Sequence, residues 1–233
     1  MPKAPQTSDG TLTARPAPPT EPAEPGLHPL ELAEGLRDGR LYIPPGVNDE
    51  PKPLIVLLHG AGGDGSSMLR LMGKAASNCV LLAPDARTHT WDFLNEAREP
   101  DVPFLDRALA HTFKRCRIDP SRIAIAGFSD GASYALTLGL ANGDLFTHVI
   151  AFSPGFMGPP RFQGSPRIFL SHGTADEVLP IDLCSRRIVP QLKTRHYDLT
   201  YREFPGPHTV PDFIQTEAMH WLLPLPWQAT QNH

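Results

Sequence analysis

The sequence predicts an α/β fold: a mostly parallel central sheet flanked by helices on both faces, with no large lid domain. Two patterns predict it. Short apolar runs alternate with segments of helical spacing along nearly the whole chain, and several runs are apolar at every position. A strand without a polar face belongs in a sheet covered on both sides. A third observation says where to look for chemistry. Each run stops at a cluster of Gly, His, Asp or Ser, and in such sheets reactive groups gather at the carboxyl ends of the strands.

In chain order, Leu41–Ile43 reads as a short strand closed by Pro44-Pro45-Gly46. Leu54–Leu58 is the first long run and ends at His59-Gly60-Ala61-Gly62-Gly63-Asp64-Gly65. A helix is expected over 66–77, a strand at Cys79–Ala83, and a loop over 86–100. Residues 104–115 repeat apolar positions at helical spacing. Ile118–Ser121 reads as a turn before the strand Ile123–Ala126, and a helix follows over 132–141, closed by Asn142-Gly143. Val149–Phe152 and Ile168–Leu170 are the fourth and fifth runs. Only residues 153–167 lie between them, which leaves no room for a lid domain. A helix is expected over 181–192, an alternating strand over 200–204, and a last helix opened by Pro211.

Composition narrows the function classes. The chain has 233 residues, 21 Lys+Arg against 25 Asp+Glu, and a formal charge of −4. It lacks the cationic face that nucleic acid or anionic lipid requires, so neither is an expected partner. No apolar stretch is long enough to span a bilayer, and Met1–Pro5 lacks the apolar run of a secretory leader. Cys79, Cys116 and Cys184 are an odd set without metal-ligand spacing, and read as reduced thiols in a cytoplasmic protein. Residues 1–30 hold eight prolines (2, 5, 16, 18, 19, 22, 25 and 29) and few large apolar side chains. Such a segment buries too little to offset its ordering entropy. The expected organisation is a loosely attached tail over 1–28, a single domain over 29–226 and a short tail over 227–233.

The chemistry centres on Gly127-Phe128-Ser129-Asp130-Gly131. A serine between a strand and a helix sits on a tight turn that lifts its hydroxyl above the sheet edge, and the flanking glycines let strand and helix pass closely. Chance yields the pattern in roughly one chain of this length in twelve, so its setting decides. Here it follows an apolar strand and precedes a helix. A serine nucleophile needs an imidazole to take its proton. His208 follows the last strand in a Gly-Pro loop, whereas His172 lies early in its loop and His220 within a helical run. Asp176, four residues beyond His172, can reach back to His208. Asp182 already stands in a helical run, and Asp85 and Asp92 precede Ser129. The chain order Ser129, Asp176, His208 is one that a hydrolytic triad on such a sheet uses.

With these residues in view, the chain resembles the α/β-hydrolases, and among them the small carboxylesterase/phospholipase group that includes acyl-protein thioesterases. The resemblance is carried by Leu57–Asp64, Gly127–Gly131, His172–Asp176 with Val178 and Pro180, and Gly206-Pro207-His208. It implies a serine esterase cleaving carboxylic esters of small to medium acyl substrates through an acyl-enzyme, with no metal and no organic cofactor. Acyl-thioesters and (lyso)phospholipids are alternative substrates, and a non-catalytic binding protein is a further alternative. It implies oxyanion-hole amides from Asp130 and from Ala61, with Gly62 as the fallback, and a supporting role for His59. Asp130 stands where the group often has Gln, and its carboxylate is expected to point away from the oxyanion. Pro207 departs from the usual Gly-Gly-His. Trp91, Phe156 and Met157 lie in loops that should border the site. They either line an apolar acyl pocket or pack those loops. The sequence leaves monomer and homodimer open.

Overall fold

A computed structural model of the chain describes residues 10–33, 37–92 and 101–223. The strands are β1 (Gly26–Pro29), β2 (Gly39–Ile43), β3 (Lys52–Leu58), β4 (Val80–Pro84), β5 (Ile118–Phe128), β6 (His148–Phe152), β7 (Arg167–Gly173) and β8 (Leu199–Phe204). The helices are α1 (Gly65–Met72), α2 (Asp101–Arg115), α3 (Asp130–Ala141), α4 (Ser185–Thr194) and α5 (Asp212–Leu222). All eight strands form one sheet in the order β1-β2-β4-β3-β5-β6-β7-β8. β1 and β2 join antiparallel, and every pair from β4 to β8 is parallel.

The fully apolar runs split by residue parity between two cores. Leu54, Val56, Leu58, Ile123, Ile125, Val149, Ile168 and Leu170 pack under α2, α3 and α4. Ile55, Leu57, Ala124, Ala126, Ile150, Phe152 and Phe169 pack under α1 and α5. This is what the period of two requires of a strand buried on both faces.

Element ends differ from expectation for local reasons. α1 starts one residue early, because Asp64 and Ser67 form a capping box, and it closes at Gly73. The turn expected at 118–121 exists inside a strand. β5 pairs Ile118 with Lys52 and Ile123 with Leu54, so the intervening residues bulge out, and Asp119 Oδ1 accepts from the Ser121 N–H and hydroxyl. α4 begins at Ser185 because residues 181–184 are taken up in turns, with the Leu183 N–H bonded to Pro180 O.

The expected loose tail is corrected over its described part. The boundary at residue 28 falls inside β1, which pairs with β2 from Gly26 to Pro29. Upstream, the chain is a strap across the helical layer. Leu12 is buried at 1% exposure. Its N–H donates to Asn142 Oδ1 (2.9 Å), and Asn142 Nδ2 returns a bond to Gly10 O (2.8 Å). Asp106 Oδ1 accepts from the Thr13 and Ala14 N–H groups, and Thr20 and Glu21 both donate to Lys114 O. A Pro-rich segment has few N–H groups and cannot build its own ladder. Here some of them meet acceptors near the α2 and α3 C-termini, where helix carbonyls lack partners. The expected C-terminal tail, 227–233, and residues 1–9 lie outside the described residues.

Cys79, Cys116 and Cys184 are free and buried, and burial pushes the first two thiols up to about 12. No described helix is long and apolar enough to cross a membrane.

Candidate active site

Ser129 is the single residue between β5 and α3, at φ 59° and ψ −123°. A non-glycine residue held there stores about 1–3 kcal/mol of backbone strain. Its N–H bonds to Phe152 O on β6 (3.0 Å), and its C=O accepts from Ala132 and Ser133 N–H on α3. The glycines beside it are obligatory for space. A Cβ on Gly127 would stand 2.2 Å from Gly131 O, and one on Gly131 would stand 2.1 Å from Leu58 O. The loop after β3 passes just as close, since a Cβ on Gly60 would lie 3.2 Å from Ser129 Cβ.

His208 lies in the loop after β8. Its ring packs on Phe128, the residue before Ser129, at 4.7 Å between centroids, and its side chain is 13% exposed. The loop is docked on the end of β7: the Ala175 N–H bonds to Gly206 O, and a Cβ on Gly173 would meet Gly206 O at 2.4 Å. That contact accounts for the glycine in His172-Gly173. His208 Nδ1 is 2.5 Å from Asp176 Oδ2. Asp176 Oδ1 accepts from the Val178 N–H (2.9 Å) and the Leu179 N–H (2.8 Å). Burial alone would push this carboxyl up. The Leu179 N–H, the His208 ring and the Val178 N–H outweigh it and hold Asp176 below the ordinary carboxylate range. The Ser129 hydroxyl and His208 Nε2 make no hydrogen bond among the described residues, so neither is committed elsewhere.

Of the two candidate amides after β3, Gly62 N–H is already bonded to His89 O (2.7 Å). Ala61 N–H has no partner among the described residues. Asp130 opens α3, so its N–H is one of the helix-start donors without an intrahelical acceptor. Its carboxylate is held by the Thr90 hydroxyl, Oγ1 to Oδ2 2.8 Å, in the loop after β4. His59 is a buried prop for the loop after β3. Its Nδ1–H donates to Gly60 O, and its Nε2 accepts from the Ala86 N–H and Arg37 Nη2. Burial pushes its pKa down, which keeps the ring neutral for that pattern.

A family model described as "Alpha/beta hydrolase family" matches residues 55–231. The chain belongs to the alpha/beta hydrolase family. Among curated proteins it is 28% identical over 166 residues to NocK of Nocardia uniformis subsp. tsuyamanensis, which carries an esterase's name. That match covers 65% of this chain and 48% of NocK, so the chain spans about half the length of that relative. Among solved structures, esterase PE8 superposes with a TM-score of 0.64 at 25% identity, over 80% of this chain and 97% of that one. The phospholipase/carboxylesterase of Dyadobacter fermentans gives 0.60 at 23%, over 82% and 99%.

Of the three residues that either line a pocket or pack their loops, Trp91 is corrected as a pocket residue. Trp91 is enclosed at 1% exposure. Its Nε1–H donates to His59 O (2.8 Å), and its ring lies between His59 and Tyr134, at 4.9 and 5.2 Å. It packs the loop under the site rather than lining a pocket. Met157 is half-buried and packs against the core below α2 and α3. Phe156 remains in the loop beside it, half-buried, with the Gly155 N–H tethered to Ser133 Oγ. Arg37, Thr90, Tyr134 and Ser185 also build the site's surroundings, and no local pattern marks them. Among the described residues, no three His, Cys, Asp or Glu gather as a metal ion would require.

Proposed function

We propose that this chain is a serine hydrolase that cleaves carboxylic esters of small to medium acyl groups through an acyl-enzyme. Ser129 Oγ attacks the ester carbonyl while His208 Nε2 takes its proton. The Ala61 and Asp130 N–H groups receive the developing oxyanion, each such donor being worth about 3 kcal/mol of barrier. His208 returns the proton to the leaving alcohol, then activates water to release the acid. Asp176 fixes the imidazole with its proton on Nδ1 and stabilises the imidazolium. One observation carries the reading: His208 is held by Asp176 at 2.5 Å and packed against the residue preceding the strained Ser129. The esterase names of NocK and PE8 support it.

Acyl-thioester or lysophospholipid cleavage is a second reading. It is favoured by exposed Val178 (66%) and Leu183 close in sequence to Asp176, which offer an apolar rim to a longer chain. Buried, unpaired cysteines fit a reducing compartment such as the cytoplasm. The test is hydrolysis of p-nitrophenyl acetate and butyrate by wild type and Ser129→Ala, with fluorophosphonate labelling alongside. Wild type should turn over and label, and S129A should lose at least about 10⁴-fold in kcat. Equal rates would end the proposal. A folded wild type that neither labels nor hydrolyses would make the fold a binding scaffold. Relative kcat/KM on esters, thioesters and lysophospholipids separates the substrate readings.

A further inference from the structure

Behind the Asp176–His208 contact stands a second imidazole that the mechanism above does not use. His172, near the end of β7, is wholly enclosed. Its Nε2 lies 2.8 Å from Leu179 O and 3.1 Å from Asp176 Oδ2. Its Nδ1 lies 2.6 Å from Oγ of Ser185, the buried first residue of α4. A carbonyl only accepts, so Nε2 carries the ring proton. In the neutral ring Nδ1 then accepts, and the Ser185 hydroxyl donates to it. Burial favours that neutral ring and outweighs the opposing pull of Leu179 O and Asp176.

The geometric consequence falls on one small turn. The Leu179 N–H is one of the two donors that hold Asp176 Oδ1. His172 grips the carbonyl of that same Leu179 and sets its N–H edge against Oδ2. The turn from Asp176 to Leu179 is thereby held from both ends. His208 faces the carboxylate from the β8 loop, the Cys184 thiol lies within its electrostatic reach beside α4, and Glu203 of β8 interacts electrostatically with His172.

We propose that His172 and Ser185 are positioning residues for Asp176: the Ser185 hydroxyl fixes the His172 tautomer, and His172 Nε2–H locks the 176–179 turn so that the carboxylate meets His208 Nδ1. This rests on reading Ser129, Asp176 and His208 as the reacting set. Neither positioning residue touches a reacting atom. A ring that merely filled space would be replaceable by phenylalanine, whereas a positioning donor would not.

The test compares full-length wild type, His172→Phe, His172→Gln and Ser185→Ala on p-nitrophenyl butyrate, with urea melts to verify folding. H172F should lose about 10²-fold in kcat, as expected of a misplaced catalytic partner, with KM within about twofold. H172Q offers an amide N–H in the same direction and should return to within about tenfold of wild type. S185A, missing one buried hydroxyl, should lose about tenfold in kcat, the scale seen when the group orienting a functional histidine is removed. The proposal is overturned if folded H172F keeps wild-type kcat, or if H172F and H172Q are equally impaired. Should H172F not fold, S185A decides: wild-type kcat overturns the proposal, and the loss in kcat at unchanged KM sustains it. Retained activity in S129A would instead remove the reading beneath it, and is scored separately.

Discussion

Gly131→Ala adds one methyl group where β3, β5 and α3 meet. Its Cβ would stand 2.1 Å from Leu58 O and 2.5 Å from His59 O, about 1 Å inside the closest contact a methyl tolerates. Both obstacles are backbone, so no side chain can swing aside. Either α3 tilts or the end of β3 retreats by about 1 Å. Overpacking of this kind costs about 1–3 kcal/mol. The end of β3 leads directly into Gly60 and Ala61, so the retreat also moves the Ala61 N–H relative to Ser129. A displacement of about 1 Å between reacting partners costs about 10²-fold in rate. Gly46→Ala is the matched control. It sits at φ +75° in the turn after β2 with no atom closer than 3.7 Å, so it incurs about 1–2 kcal/mol of left-handed strain without displacing the site. Urea midpoints should therefore fall comparably in the two variants, while kcat on p-nitrophenyl acetate falls about 10²-fold in G131A alone. If folded G131A matches G46A in kcat, the claim that this glycine sets the spacing between nucleophile and oxyanion loop is refuted.

Two further predictions address stability. Leu12→Ala should lower unfolding stability by about 2–3 kcal/mol, as for a large-to-small change in a core, read as the urea midpoint at constant m-value. An unchanged midpoint would mean that the strap is not bound in solution. Asp101 accepts from the Arg87 and Asp92 N–H groups at 2.6 Å each. Burial, resisted by the Arg87 N–H and reinforced by the Asp92 charge, raises its carboxyl from 3.8 to about 6. A carboxyl raised in the folded state holds its proton more tightly there than when unfolded. Its stabilising contribution is full below about 3.8 and is lost as pH rises through about 6. The stability of wild type over Asp101→Asn should thus shrink by up to about 3 kcal/mol between pH 4 and 7. A difference flat across that range would contradict the assignment.

What the sequence made legible was whatever a short window encodes. Leu54–Leu58, apolar at every position, announces a strand covered on both faces, and Gly127–Gly131 announces its own turn. Asp176 and His208 were singled out because each follows a strand end in a fold whose strand ends converge, and the structure brings the two to 2.5 Å. What stayed hidden depends on partners distant in the chain. The strap looked too polar and proline-rich to order because its acceptors, Asp106, Asn142 and Lys114 O, lie about 90–130 residues away. Trp91 offered a large ring, and no local pattern could say that it would turn inward between His59 and Tyr134. The bulge in β5 was read as a separate turn because Asp119 and Ser121 carry turn chemistry wherever they occur.

The order in which strands join the sheet has a consequence for synthesis. The carboxylate and imidazole arrive on the last two strands added to one edge, beyond β5 and β6, and the imidazole arrives only after β8. A ribosome extruding this chain exposes the serine elbow well before the carboxylate and the imidazole exist. On the proposed mechanism, onset of turnover would report docking of β8 and serve as a clock for its arrival.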